Sequence, residues 1–355
     1  LMSDVLSEPA VLVGLIALIG LIAQKKPVTE CIKGTVKTIM GFVILGAGAG
    51  LVVSSLGDFA NIFQHAFGIQ GVVPNNEAIV SVAQKSFGKE MAMIMFFAMV
   101  INIMIARFTP WKFIFLTGHH TLFMSMMVAV ILATAGMTGI TLIAVGSLVV
   151  GVAMVFFPAI AHPYMKKVTG SDDVAIGHFS TLSYVLAGFI GSKFGNKEHS
   201  TEDMNVPKSL LFLRDTPVAI SFTMSIIFLV TCLFAGADAV KELSGGKNWF
   251  MFSIMQSITF AAGVYIILQG VRMVIAEIVP AFKGISDKLV PNARPALDCP
   301  VVFPYAPNAV LVGFLSSFAA GLIGMFTLYL LNMIVIIPGV VPHFFVGAAA
   351  GVFGN

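Results

Sequence analysis

A single acidic residue, Asp298, lies among four prolines between two long apolar segments; the prolines are Pro295, Pro300, Pro304 and Pro307. Proline removes a backbone donor and clashes with the preceding turn, so no continuous helix crosses this stretch. If the flanking segments span a membrane, a broken helix must line protein or water, and an ionisable side chain there marks a functional site. The alternative is that Asp298 only caps the helix that follows it.

Histidines interrupt two other apolar segments: His119 and His120 follow Gly118, and His178 follows Gly177. A neutral imidazole both donates and accepts hydrogen bonds, which suits the hydroxyl groups of a sugar-like solute. Adjacent side chains on a helix point about 100° apart, so we expect His119 to be the stronger candidate for contact with a solute and His120 the weaker one. The alternatives are a core histidine bonded to a backbone carbonyl and, for His178, a solvated histidine at the membrane interface.

A second interrupted helix is predicted after Pro74. Asn75 or Asn76 is a candidate cap for this helix. If the chain consists of two inverted halves, Glu77 or its neighbours face Asp298 across a shared site.

The composition predicts the class of protein. Hydrophobic residues make up 58% of the chain and charged residues 10%, and the mean hydropathy is +0.97. These values predict an all-α polytopic membrane protein. The net charge of +3 comes from scattered basic residues and gives no indication of nucleic-acid binding. The three cysteines are too far apart for a zinc site or a disulfide framework. We find no enzyme, nucleotide or cofactor motif, so we expect a transport subunit without cofactor or metal.

Apolar runs predict the membrane spans. The predicted spans are Pro9–Ala23, Thr38–Gly57, Met91–Ala106, Phe113–Thr134, Gly139–Phe157, Pro217–Gly236, Trp249–Gly270 and Ala309–Ile337, and another begins at Phe344. Within the second span, glycines from Gly46 to Gly50 allow close helix packing or the approach of a substrate. Because the chain begins without Met and stops after an apolar stretch, we expect a fragment that lacks its last spans.

Weak sequence similarities between the two halves of the chain predict an inverted repeat of about five spans per half, with re-entrant hairpins and broken helices. The similarities pair Lys33–Ile39 with Gln269–Ile275, Pro74 and Glu77 with Pro295 and Asp298, and Gly118-His119 with Pro342-His343. The predicted units are a first transmembrane repeat (1–170), a re-entrant hairpin with a cytoplasmic link (171–215) and a second, truncated repeat (216–355).

Several motifs in the same order resemble the ascorbate-type permeases, the enzyme IIC components of the bacterial phosphoenolpyruvate-dependent sugar phosphotransferase system. The motifs are Lys33–Phe42, Leu116–His119, Ile176–His178, Gln269–Met273, Ala276-Glu277, Gly284–Ser286, Asp298-Cys299, Ala306–Val310 and Ile336–Gly339. The resemblance implies a multi-pass protein of the bacterial inner membrane and a homodimer. It also implies IIA and IIB phosphocarrier partners, with the phosphate passing from IIB to the solute.

The same resemblance implies which residues bind the solute. His119, His178 and Asp298 match positions that bind ascorbate in that family. The chain departs from the family at the Asn76-Glu77 pair, where a Thr-Tyr pair is expected, and at Phe123, where a glutamine is expected. Such departures change which hydroxyls or charges are accepted, because unpaired buried polar groups discriminate strongly between solutes. His120 and the residue after His178, Phe179, complete the predicted site.

Three functions are compatible with these residues. The first is a phosphotransferase-system permease for ascorbate or a related solute, with a basic cytoplasmic link that could dock a partner. The second is a secondary transporter in which Asp298 and Glu77 bind a coupling proton or sodium ion. The third is a membrane sensor that binds a solute without transporting it.

Overall fold

A computed structural model of the chain describes residues 9–68, 71–72, 76–196, 198–204, 212, 215–331, 333, 335–336 and 338–355. Helices dominate these residues. Five of them are long and apolar enough to cross a membrane, or six if a pair bent by 109° near Gly236 counts as one span. Large apolar side chains such as Leu186, Phe189 and Leu233 are exposed on the outer helix faces, where a bilayer would cover them. The predicted all-α polytopic membrane class is therefore confirmed.

The helices are α1 (Pro9–Ala23), α2 (Val28–Phe67), α3 (Asn76–Phe108), α4 (Gly118–Thr134), α5 (Gly139–Thr169), α6 (Thr181–Phe194), α7 (Thr216–Ala235), α8 (Ala237–Leu243), α9 (Trp249–Leu289), α10 (Pro307–Leu330) and α11 (Val340–Gly354). In the part of the chain that the structure describes, Thr201–Asp203 and Cys299–Tyr305 form 3-10 helices. The strands are β1 (Gly71–Val72), β2 (Phe113–Phe115), β3 (Ala175–Ile176), β4 (Arg294–Leu297) and β5 (Val335–Ile336).

The observed helices differ from two of the predicted spans. The predicted span Phe113–Thr134 is wrong as a single helix, because its first residues form β2 and the helix begins only at Gly118. Conversely, the predicted span Thr38–Gly57 is only the middle of the 40-residue helix α2, which continues to Phe67. The broken stretch around Asp298 contains β4 and a 3-10 helix, as proline chemistry requires.

The two longest helices, α2 and α9, pack with their backbones almost in contact. A Cβ atom added at Gly48 would lie 2.7 Å from the backbone nitrogen of Ile267, and one at Gly41 would lie 2.7 Å from the carbonyl oxygen of Gly270. A Cβ atom at Gly50 would have no atom of a neighbouring helix within 4 Å. The glycines therefore serve helix packing at specific positions rather than along the whole run.

Two small parallel sheets lie between the helices. One pairs β1 with β5, and the other has the order β2-β4-β3 with Phe115 beside Ala296 and Ile176 beside Leu297. The edge of β2 is completed by the buried side chain of Asn102. Its amide nitrogen donates to the Phe113 carbonyl and its amide oxygen accepts from the Phe115 nitrogen, both at 3.0 Å. One asparagine thus satisfies backbone groups that a further strand would otherwise pair.

Candidate functional site

The three-stranded sheet brings together the residues that the sequence singled out. His119 follows β2 by four residues, His178 follows β3 by two, and Asp298 directly follows β4. Because the strands are parallel, their carboxyl ends lie at one edge of the sheet, so segments distant in sequence deliver these side chains to one place. This edge is the candidate solute site.

Helical segments begin at the same edge. Helix α4 starts at Gly118, the 3-10 helix at Cys299 and α6 at Thr181. Helix amino ends carry free N–H groups and partial positive charge, so they favour acceptor oxygens and negative charge. Asp298 binds one of these free N–H groups, because its Oδ1 accepts a hydrogen bond of 2.7 Å from the Cys299 nitrogen.

The other carboxylate oxygen of Asp298 faces His119. Its Oδ2 lies 3.6 Å from His119 Nε2, and the two side chains are 33% and 24% exposed. This distance is beyond a hydrogen bond, and both groups remain accessible. A solute hydroxyl could therefore bind both of them at once.

The structure also places His120, the weaker of the two histidine candidates in the sequence, beside the other imidazoles. Its ring centroid lies 4.8 Å from that of His119 and 3.7 Å from that of His178. Side chains in the first turn of a helix lean toward its amino end, so consecutive residues of α4 both approach the strand ends despite their angular separation. The three imidazoles therefore form one continuous cluster.

Two phenylalanines border the imidazoles. The Phe179 ring stacks on His120 at 6.1 Å between centroids and also lies 5.2 Å from Phe115. Phe123 meets the His119 ring edge-on at 6.3 Å. Both predicted aromatic residues are thus beside the site, as apolar walls rather than hydrogen-bonding groups.

His178 is buried, and both its ring and its backbone carbonyl are hydrogen-bonded. Its Nδ1 contacts the Ser180 nitrogen at 3.1 Å and the Tyr184 hydroxyl at 2.8 Å. Its carbonyl oxygen accepts a hydrogen bond from the Thr181 hydroxyl. Sequence reasoning missed Tyr184, because a tyrosine in an apolar helix gives no signal until the partner of its hydroxyl is known.

The predicted site residues Asn76 and Glu77 are the first residues of α3. Their side chains lie outside the described residues, so the prediction that Glu77 faces Asp298 stays a prediction.

The histidine, carboxylate and thiol side chains at this edge are groups that can also bind a metal ion. Ligand atoms of His119, His120 and Asp298 lie within 4.8 Å of one another, as do those of His178, Asp298 and Cys299. The surrounding helix amino ends oppose a cation, however, and Asp298 Oδ1 already accepts the Cys299 amide. The arrangement is better suited to a neutral or anionic solute that has hydroxyl groups.

A charged cluster closes the opposite end of the same sheet. Asp172 accepts hydrogen bonds from His162 Nε2 at 2.8 Å and from the Arg294 guanidinium at 2.5 Å, and Lys166 Nζ lies 3.6 Å away. The hydrogen bond from His162, helped by the charges of Arg294 and Lys166, holds the pKa of the Asp172 carboxyl below its ordinary value. Because Arg294 begins β4 and Asp172 precedes β3, the cluster joins the two strands that carry Asp298 and His178.

Comparison with known proteins gives the same family across the chain. A family model described as the PTS system sugar-specific permease component matches residues 4–355. A relative from Mycoplasma pneumoniae, named the ascorbate-specific PTS system EIIC component, is 26% identical over 413 aligned residues. That alignment covers 100% of this chain and 62% of the relative, so the chain spans less than two thirds of the relative's length.

Proposed function

Because the chain belongs to the family of sugar-specific permease components of the phosphotransferase system, we propose that it carries a sugar-like solute inward across the bacterial inner membrane. In this proposal a partner IIB protein, itself phosphorylated by IIA, phosphorylates the solute at the cytoplasmic face. The permease binds and releases the solute and performs no phosphoryl transfer itself.

The convergence of His119, His178 and Asp298 at one sheet edge carries this proposal. A partly exposed carboxylate oxygen 3.6 Å from an imidazole nitrogen can bind a solute hydroxyl between them. In a membrane interior such polar groups are costly unless they serve a solute or a partner, which favours a transport site over a structural one.

Ascorbate or a related polyol is the proposed solute. The relative from Mycoplasma pneumoniae is named as ascorbate-specific. The helix amino ends at Gly118, Thr181 and Cys299 favour acceptor oxygens, as ascorbate carries. Phe123 offers a ring rather than an amide beside His119, so the solute would present an apolar edge there.

We also propose that the chain consists of two inverted repeats, residues 1–170 and 216–355, joined by residues 171–215. The two longest helices, α2 and α9, have 40 and 41 residues, and each precedes a strand, helical segments and a second strand. The first strand of each set pairs with the second strand of the other, β1 with β5 and β4 with β2, as a twofold axis between repeats would require. We expect the permease to act as a homodimer.

Labelled uptake tests the proposal. Cells that make the chain, with IIA and a IIB protein present, are expected to accumulate phosphorylated ascorbate or polyol, and to lose this accumulation when IIB is removed. Uptake that is unchanged without IIB would contradict the proposal. Uptake abolished by a protonophore, with only unmodified solute recovered, would instead select an ion-coupled transporter.

A further inference from the structure

Tyr184 is completely buried on α6, directly behind His178. Its hydroxyl lies 2.8 Å from His178 Nδ1, and it packs in the same buried cluster as Cys299, the residue that follows Asp298. Tyr184 thus supports the histidine that follows β3, although it does not itself lie among the exposed groups of the site. A buried tyrosine hydroxyl requires a partner, and here the partner belongs to the site.

The backbone amide of Ser180 determines the state of the histidine. It donates to His178 Nδ1 at 3.1 Å, and an amide N–H can only donate. Nδ1 must therefore offer a lone pair, and the hydrogen of the neutral ring is on Nε2. The Tyr184 hydroxyl contacts the same nitrogen at 2.8 Å and then donates to the same lone pair, which the two donors share.

We propose that the Ser180 amide and the Tyr184 hydroxyl hold His178 as the Nε2–H tautomer, so that His178 always donates to the solute while Asp298 accepts from it. This inference rests on the proposed function, because it assigns a role to each side of the same solute site. A fixed donor and a fixed acceptor in one site select a solute that presents both an acceptor oxygen and a hydroxyl. A solute without an acceptor oxygen for His178, or without a hydroxyl for Asp298, leaves a polar group of the site unpaired and is rejected.

Nitrogen-15 NMR of histidine-labelled protein in lipid tests the tautomer without any solute. We expect His178 to show a protonated Nε2 and an unprotonated Nδ1, with its signals assigned by their loss in His178→Gln. A proton on Nδ1 would overturn the inference. Because this measurement needs neither uptake nor IIB, its result is separate from the test of the proposed function.

Substitutions of His178 test its role as a donor. The side-chain NH₂ of glutamine occupies roughly the position of Nε2, whereas that of asparagine is closer to Nδ1. Uptake by His178→Gln is therefore expected to exceed that by His178→Asn by about tenfold, since one hydrogen bond of about 1.4 kcal/mol is retained. Equal uptake by the two variants would overturn the donor role.

Removal of the tyrosine hydroxyl tests its positioning role. Tyr184→Phe is expected to raise the KM for uptake about fivefold to tenfold and to leave kcat nearly unchanged, because the donor in the site is less well held. The matched control is Tyr265→Phe on α9, where the side chain is 49% exposed and away from the imidazole cluster. A Tyr184→Phe protein that folds and keeps the KM of the control would contradict the positioning role.

Discussion

Asp298 uses its two carboxylate oxygens differently. Oδ1 caps the 3-10 helix by accepting the Cys299 amide at 2.7 Å, whereas Oδ2 faces His119 Nε2 at 3.6 Å. The capping and functional interpretations of this residue are therefore compatible. Because the cap fixes the carboxylate plane, it also directs the second oxygen into the site.

Two substitutions at Asp298 separate these roles. Asparagine caps helices about as well as aspartate but has no negative charge, so Asp298→Asn should keep the melting temperature and lose at least about 90% of uptake. Asp298→Ala should lose uptake and also about 1 kcal/mol of stability. The measurements are uptake and thermal unfolding in detergent. Full uptake by Asp298→Asn would show that the carboxylate only caps.

At the residue scale, the sequence predicted which side chains would meet but not how they are held. Prolines around Asp298 and glycines before His119 and His178 marked breaks in apolar segments, and the structure brings these three together. His120 was underestimated because angular separation alone ignores the lean of first-turn side chains. Tyr184 was missed because a tyrosine in a helix gives no signal until its hydroxyl partner is known.

At the element scale, the short strands position the site, and the sequence did not predict them. They have two to four residues, which is too short for an alternating pattern to be recognised. Their pairing also joins segments far apart in the chain, as with Phe113 beside Arg294. By contrast, proline and glycine chemistry indicated correctly where helices could not continue.

The packing of α2 on α9 gives a prediction with a control in the same glycine run. A methyl group at Gly48 would lie 2.7 Å from backbone atoms of α9, so Gly48→Ala should destabilise the protein by about 1–3 kcal/mol through overpacking. Gly50 has no atom within 4 Å of that position, so Gly50→Ala should leave stability unchanged or raise it by up to about 1 kcal/mol. Thermal unfolding of both variants provides the comparison, and equal melting temperatures would contradict the described helix contact.

The Asp172 cluster predicts a dependence of stability on pH. The pKa of Asp172 is lowered from 3.8 in the folded protein. Its contribution to stability is therefore present above that ordinary value and is lost as the pH falls through the lower folded value. Asp172→Asn should melt below the wild type at pH 6, and the difference should shrink as the pH drops below about 3.8. A difference that is constant from pH 6 to the acid limit would show that the ion pairs of Asp172 contribute nothing.

At the scale of the whole molecule, composition alone predicted an all-α membrane protein, and the helices confirm it. Composition could not show that strands from the first and second halves of the chain pair with each other. The pairs are β1 with β5 and β2 with β4, and they belong to two small sheets between the helices that the structure describes. The site lies where the three-stranded sheet meets helix amino ends, so neither half of the chain forms it alone.

Equilibrium binding is the most direct test of the claim that His119, His178 and Asp298 form one solute site. Purified protein in lipid nanodiscs would be titrated with labelled ascorbate and a panel of polyols, using wild type, His119→Ala, His178→Ala, Asp298→Asn and the control Tyr265→Phe. We expect one saturable site in the wild type and the control, weakened about tenfold or more by each of the other three substitutions. Saturable binding that all three variants retain at wild-type affinity would contradict the account.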